Sequence, residues 1–150
     1  MTRSERLAPV QRVLGKTEQQ RARELADART RLSEAESKLQ DLEQYRRDYE
    51  QAFQKRAKAG QPVMQLRDFQ VFLARLDQAI QQQKQIVETG RGDVAGQATR
   101  WQSAARQVKA VDSVVGRWQG EERREQDRRD QKETDERAQR GRMPRTSENG

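Results

Sequence analysis

Two groups of residues in this chain have types and spacings that could do chemistry. Carboxylate pairs such as Asp127 and Asp130 could act as acid and base, or bind a metal ion, if their surroundings desolvated them and drove their pKa values apart. The surroundings do not: Glu121-Glu-Arg-Arg-Glu-Gln-Asp-Arg-Arg-Asp130 is charged or amide at every position. Gly90, Gly92 and Gly96 approach the pattern of a phosphate-cradling loop, but the third glycine falls one residue late and no buried strand precedes the group. They read instead as a flexible or bent segment of a helix, where each glycine costs about 1 kcal/mol relative to alanine. The chain has neither cysteine nor histidine. Disulfides, thiolate metal sites and the usual general base near neutral pH are thereby removed. These residues predict a protein that works by binding other proteins, not an enzyme, with no cofactor and no metal.

The elements that carry these residues follow from composition and periodicity. Of 150 residues, 31% are hydrophobic and 37% are charged, against averages of roughly 45–50% and about 25%. That is too little apolar surface for a compact core. It suffices for paired helices, each of which buries one narrow stripe. Arg, Gln, Glu, Ala and Lys dominate, and most of them favour helix. The run Val71-Phe72-Leu73-Ala74 is far short of the ~20 apolar residues of a spanning helix, so the expected compartment is cytoplasmic. The net charge of +7 and pI near 10.2 raise the question of nucleic acid. The basic residues are scattered among 24 acidic ones, however, and form no dense block. A solvated helical surface accounts for them, and no nucleic-acid partner is expected.

From Leu25 the apolar positions step by three and four: Leu25, Ala28, Leu32, Ala35, Leu39, Leu42, then Arg46, Tyr49 and Phe53. Extended backward, the stripe reaches Leu14 and Leu7 through Arg21, Glu18 and Gln11, a weaker seam. A second stripe runs Leu66, Phe69, Leu73, Leu76, Ile80, Gln83, Val87, Gly90, Val94, Gln97, Trp101, Ala104, Val108, Val111, Val115, Trp118. Alternation this strict over so many residues is a heptad repeat. Gly60 and Pro62 interrupt the two stripes and mark a hairpin turn. The chain is therefore predicted to be all-α, a long antiparallel two-helix coiled-coil hairpin. Its organisation reads as a lead-in at 1–8 and a hairpin over 9–118, with helix 1 about 9–57, the turn about 58–65 and helix 2 about 66–118. A charged helical extension at 119–140 and a disordered tail at 141–150 complete it. The helices would span roughly 70 and 80 Å at ~1.5 Å per residue. Counting outward from the turn sets Phe53 opposite Phe69, Leu42 opposite Ile80 and Ala28 opposite Val94. Polar Gln83 and Gln97 on the seam lower stability and help to fix register. In the extension, Glu125–Arg129 and Glu133–Arg137 have the favourable i,i+4 order.

Near the turn there are more apolar residues than one stripe can hold. Tyr45 lies three residues from Leu42 and four from Tyr49, and Phe72 and Ala79 flank the seam residues Phe69, Leu73, Leu76 and Ile80. The surplus fits wider packing within the hairpin, a third helix folding back, or an exposed docking patch for a partner.

These segments together resemble the flagellar FliJ family over nearly the whole chain. The likeness is carried by Leu39-Gln-Asp-Leu42-Glu-Gln-Tyr45-Arg-Arg-Asp-Tyr49, by Phe69-Gln-Val-Phe72-Leu73-Ala-Arg-Leu76-Asp-Gln-Ala79-Ile80, and by the charged Arg123-Arg-Glu-Gln-Asp-Arg-Arg-Asp-Gln-Lys-Glu-Thr-Asp135-Glu136-Arg-Ala138. The resemblance implies a coiled coil similar to the rotary ATPase gamma-subunit shaft. It also implies a place in the flagellar type III protein export apparatus, peripheral at the inner membrane. The partners it implies are the hexameric export ATPase, the cytoplasmic region of the export gate protein FlhA, and export chaperones, with membrane association only through that apparatus. Its gate-binding surface maps onto Leu42, Tyr45, Tyr49, Phe72, Leu76 and Ala79. The rival readings are a coiled-coil stalk or chaperone-adaptor of another secretion system and a basic nucleic-acid-binding rod.

Overall fold

Thr2-x-x-Glu5 has the spacing of a capping box, and in the computed structural model, which describes residues 1–142, the box is closed. The Glu5 N–H donates to Thr2 Oγ1 at 3.3 Å, and the Thr2 N–H donates back to Glu5 Oε2 at 3.1 Å. Two of the donors left over at the helix start are thereby satisfied. Helix α1 consequently runs Arg3–Lys58 and does not wait for Pro9, where the sequence placed its start. Pro9 sits inside the first turns of the helix and deprives the Glu5 carbonyl of its helical donor.

The same first turn is held by α2, which runs Val63–Arg142. Glu122 accepts from the Ser4 hydroxyl at 2.6 Å and from the Ser4 N–H at 3.2 Å. Arg3 pairs with Glu121 at 2.8 Å and lies over the Trp118 ring at 4.6 Å. The Ser4 hydroxyl is the main reason the Glu122 carboxyl is held below the usual glutamate range, helped by the Ser4 N–H, the Thr2 hydroxyl and the Arg3 charge. A carboxylate depressed in the folded state adds stability that is fully present above its ordinary pKa, about 4.3. That stability is lost as the pH falls through the depressed folded value. The NMR shift of the Trp118 indole should therefore hold steady at neutral pH and move as the solution is acidified below pH ~4. In Glu122→Gln that acid step should vanish; an unchanged step would mean that another group controls the docking.

The chain reverses in four residues, 59–62, tighter than the 58–65 expected. Gly60 takes φ +78°, the left-handed conformation that side chains resist. Around it, the Gln61 N–H donates to Arg56 O at 3.2 Å and the Gly60 N–H to Ala57 O at 3.3 Å, the two bonds of a Schellman motif. The carbonyl of Pro62 then accepts the first bond of α2, from the Leu66 N–H at 3.2 Å. Among the described residues there are two helices and no strand.

Two compact units divide the hairpin, Thr17–Ala104 with the turn and Met1–Lys16 with Ala105–Gly150. Within each, α1 and α2 run antiparallel. In the turn unit, Phe53 meets Phe69 with ring centroids 5.9 Å apart, and Leu32 lies against Gly90. These two pairs share the register that sets Leu42 opposite Ile80. The core of this unit is a single file: Leu25, Ala28, Phe69, Leu76, Ile80, Val87 and Ala104 are buried. In the other unit Val115 and Ser4 are buried, with Leu7, Leu14, Val108, Val111 and Trp118 half-buried around them.

Helix α2 runs without interruption through Gly90, Gly92 and Gly96. A Cβ on Gly90 would stand 3.3 Å from Leu32 Cδ1 and 3.8 Å from Leu32 Cα. Gly90 thus lets the helices approach closely, and the burial gained around it offsets its poor helix propensity. Beyond Trp118 the helix carries the charged stretch without a break, and both i,i+4 pairs form, Glu125–Arg129 at 3.5 Å and Glu133–Arg137 at 2.7 Å. Of the tail expected at 141–150, Gly141 and Arg142 are the last residues of α2; the remainder lies outside the described residues.

Candidate protein-docking surface at the turn

Tyr45, Tyr49 and Phe53 follow one another at four-residue spacing on α1, and Phe69 and Phe72 are three apart on α2, so the turn brings both rows together. All three phenylalanines and both tyrosines of the chain meet there. Tyr49 is the hub, 4.7 Å from Phe69 in a stacked arrangement and 4.5 Å from Phe72. Tyr45 stands at the edge, 6.2 Å from Tyr49 and perpendicular to Phe72 at 6.1 Å. On the other side the Arg56 guanidinium covers Phe69 at 4.8 Å.

Burial sorts the six residues singled out for docking. Leu76 is buried at 7% exposure, while Tyr45 is 50% exposed. Leu42, Tyr49, Phe72 and Ala79 are half-buried. The surplus apolar groups therefore widen the packing and also leave an open aromatic edge. Beside this edge, Arg46 fills a seam position with charge. It pairs with Asp77 of α2 and with Glu50 at 2.7 Å. Hydrogen bonding to Arg46 holds the Asp77 carboxyl below its ordinary range.

The expected seam residues differ in burial. Leu25, Phe69, Ile80, Val87 and Val115 are buried, and Leu32, Leu39, Phe53, Leu73, Val94, Trp101, Val108, Val111 and Trp118 are half-buried. The two seam glutamines differ. Gln83 is 4% exposed and its Nε2 donates to the Ala35 carbonyl at 2.9 Å, whereas Gln97 Oε1 is buried with no partner. Trp101 Nε1 donates to Glu18 Oε1 at 2.9 Å, which explains how a glutamate is accommodated in the weak part of the α1 seam. The small residues Ala28, Ala35 and Gly90 leave an open groove of 560 Å³ flanked by Ile86. Sequence reasoning missed the exposed apolar pair Val63 and Met64 at the turn; both fall inside the stretch it assigned to the turn, where helical spacing carries no signal. Among the described residues there is no group of three or more acidic side chains placed to hold a metal.

A family model described as "Flagellar FliJ protein" matches residues 3–146, which takes in both helices and the charged stretch. The chain belongs to the FliJ family. FliJ proteins are non-catalytic components of the flagellar export apparatus, and the aromatic cluster is accordingly a surface of an export component. No curated protein and no solved structure matched this FliJ chain. No helix among its described residues is long and apolar enough to cross a membrane.

Proposed function

We propose that this FliJ-family protein binds the hexameric export ATPase, promotes assembly and activity of its ring, and links it to the cytoplasmic region of the gate protein FlhA and to export chaperones. It would act in the cytoplasm, peripheral to the inner membrane. Family membership supports the setting, and the aromatic edge supports the gate contact. The observation that carries the reading is the position of Tyr45. Half its surface is open, yet its ring is braced by Tyr49 and Phe72, and Tyr49 stacks in turn on buried Phe69. A rigid, exposed aromatic side chain loses little entropy on binding and makes a good anchor. In this reading Tyr45 makes the contact, Leu42, Tyr49, Phe72 and Ala79 border it, and Leu76 supports the patch from beneath.

Tyr45→Ala is the discriminating variant. Its neighbours Tyr49 and Phe72 also hold the hairpin together, so replacing them would confound binding with folding. Loss of a central aromatic anchor costs about 2 kcal/mol or more, or roughly a thirtyfold drop in affinity for the soluble part of the gate, with circular dichroism unchanged. Equal affinity at equal helicity would sink the gate assignment. For the ATPase, the test is stimulated hydrolysis and hexamer formation on adding the protein; no effect over a wide concentration range would refute that part.

A further inference from the structure

Val63 and Met64 open α2 at the turn with their side chains in solvent, at 77% and 72% exposure. In a chain so short of apolar residues, two large ones placed together at the apex contribute nothing to the hairpin seam, which α2 joins only at half-buried Leu66. Cations flank them along the chain. Between Gln51 and Leu76 the chain carries Lys55, Arg56, Lys58, Arg67 and Arg75 against the single acid Asp68. That stretch supplies +4 of the net +7. Lys55, Lys58 and Arg67 are exposed. Cations in the last turn of α1 favour the helix dipole, but that role does not account for Arg67 or for the open apolar pair.

We infer that the apex of the turn, exposed Val63 and Met64 with the nearby exposed cations Lys55, Lys58 and Arg67, docks on the surface of an anionic lipid bilayer. The apolar pair enters the boundary between headgroups and acyl chains, and the cations meet the headgroup phosphates. Two side chains beside a four-residue reversal cover far less than the ~800 Å² per partner of a stable protein interface. A fluid surface needs no such area, because many weak contacts adapt to the apex. Nucleic acid would satisfy the cations and leave the apolar pair wet. Attachment of this kind is weak, reversible and sensitive to salt. It goes beyond the gate contact at Tyr45 and uses different residues.

The absence of cysteine allows one label at a time. An environment-sensitive fluorophore is placed on Met64→Cys, or on Ile86→Cys as an exposed apolar control, and the full-length protein is mixed with phosphatidylglycerol–phosphatidylcholine vesicles or with phosphatidylcholine vesicles. The label at 64 should brighten and shift to the blue with anionic vesicles alone, and the label at 86 should not. In sedimentation, Val63→Ser with Met64→Ser keeps every charge and should weaken vesicle binding at least ~10-fold; Tyr45→Ala should leave it unchanged. A silent label at 64, equal responses at 64 and 86, or undiminished binding by the double serine variant would each overturn the inference. So would a label at 64 that responds to the soluble gate domain and not to vesicles, which would assign the apex to a protein partner.

Discussion

Phe69→Ala is expected to lower the stability of the turn unit by about 3–5 kcal/mol, the usual cost of emptying a buried phenylalanine site. Phe69 is 9% exposed and touches more aromatic groups than its position on one stripe would require. It stacks on Tyr49, meets Phe53 at 5.9 Å and is roofed by Arg56 at 4.8 Å. Removing it strips all three of a face at once. Two helices have no third element to collapse into the space, so relaxation recovers little. Urea unfolding followed by circular dichroism measures the loss, and hydrogen exchange locates it at residues 45–76. A change below about 1 kcal/mol would mean that the aromatic cluster is ornamental to the hairpin.

Val87→Asp should be at least as damaging, by about 3 kcal/mol or more at neutral pH. Val87 is 3% exposed. The register of the turn unit sets it opposite Ala35, in the middle of α1, where the backbone offers carbonyls and no free N–H. The nearby amide donor, Gln83 Nε2, is already given to the Ala35 carbonyl. A carboxylate placed there would have to break the seam to reach water. The conservative control is Val87→Ala, which should cost less because it leaves only a small void. If the aspartate variant melted no earlier than the alanine variant, the seam at this point would be wetter than the burial of Val87 indicates.

The heptad stripes made the pairing and register of the helices legible. Steps of three and four need only one sequence, and a turn at Gly60 and Pro62 then sets which residues oppose. Three features were less legible, each for a physical reason. The start of α1 depended on weighing Pro9 against the Thr2–Glu5 box, and the contacts of Ser4 and Arg3 with α2 tipped the balance toward the box. Gly90 reads alike in sequence whether it loosens a helix or admits a neighbour, and only the approach of Leu32 decides. Within the docking candidates, the sequence counted a surplus of apolar groups near the turn. It could not tell which of them the other helix covers. Leu76 on α2 ends at 7% exposure and Tyr45 on α1 at 50%. The unpartnered oxygen of Gln97 shows the same limit, since Gln83, two heptads closer to the reversal, finds a carbonyl and Gln97 leaves an acceptor empty.

From Arg123 to Arg142, α2 has no side chain that is even half-buried. Its helix is held by the backbone ladder and by neighbouring charges and amides, among them Glu125 with Arg128 and Arg129, Gln126 with Asp130, and Gln131 with Asp135. Hydrophobic burial, which ionic strength barely weakens, contributes nothing there, whereas pairs in open solvent fade as the Debye length contracts. Added salt should therefore melt this segment's helix, read as lost helicity, before it disturbs the seamed hairpin.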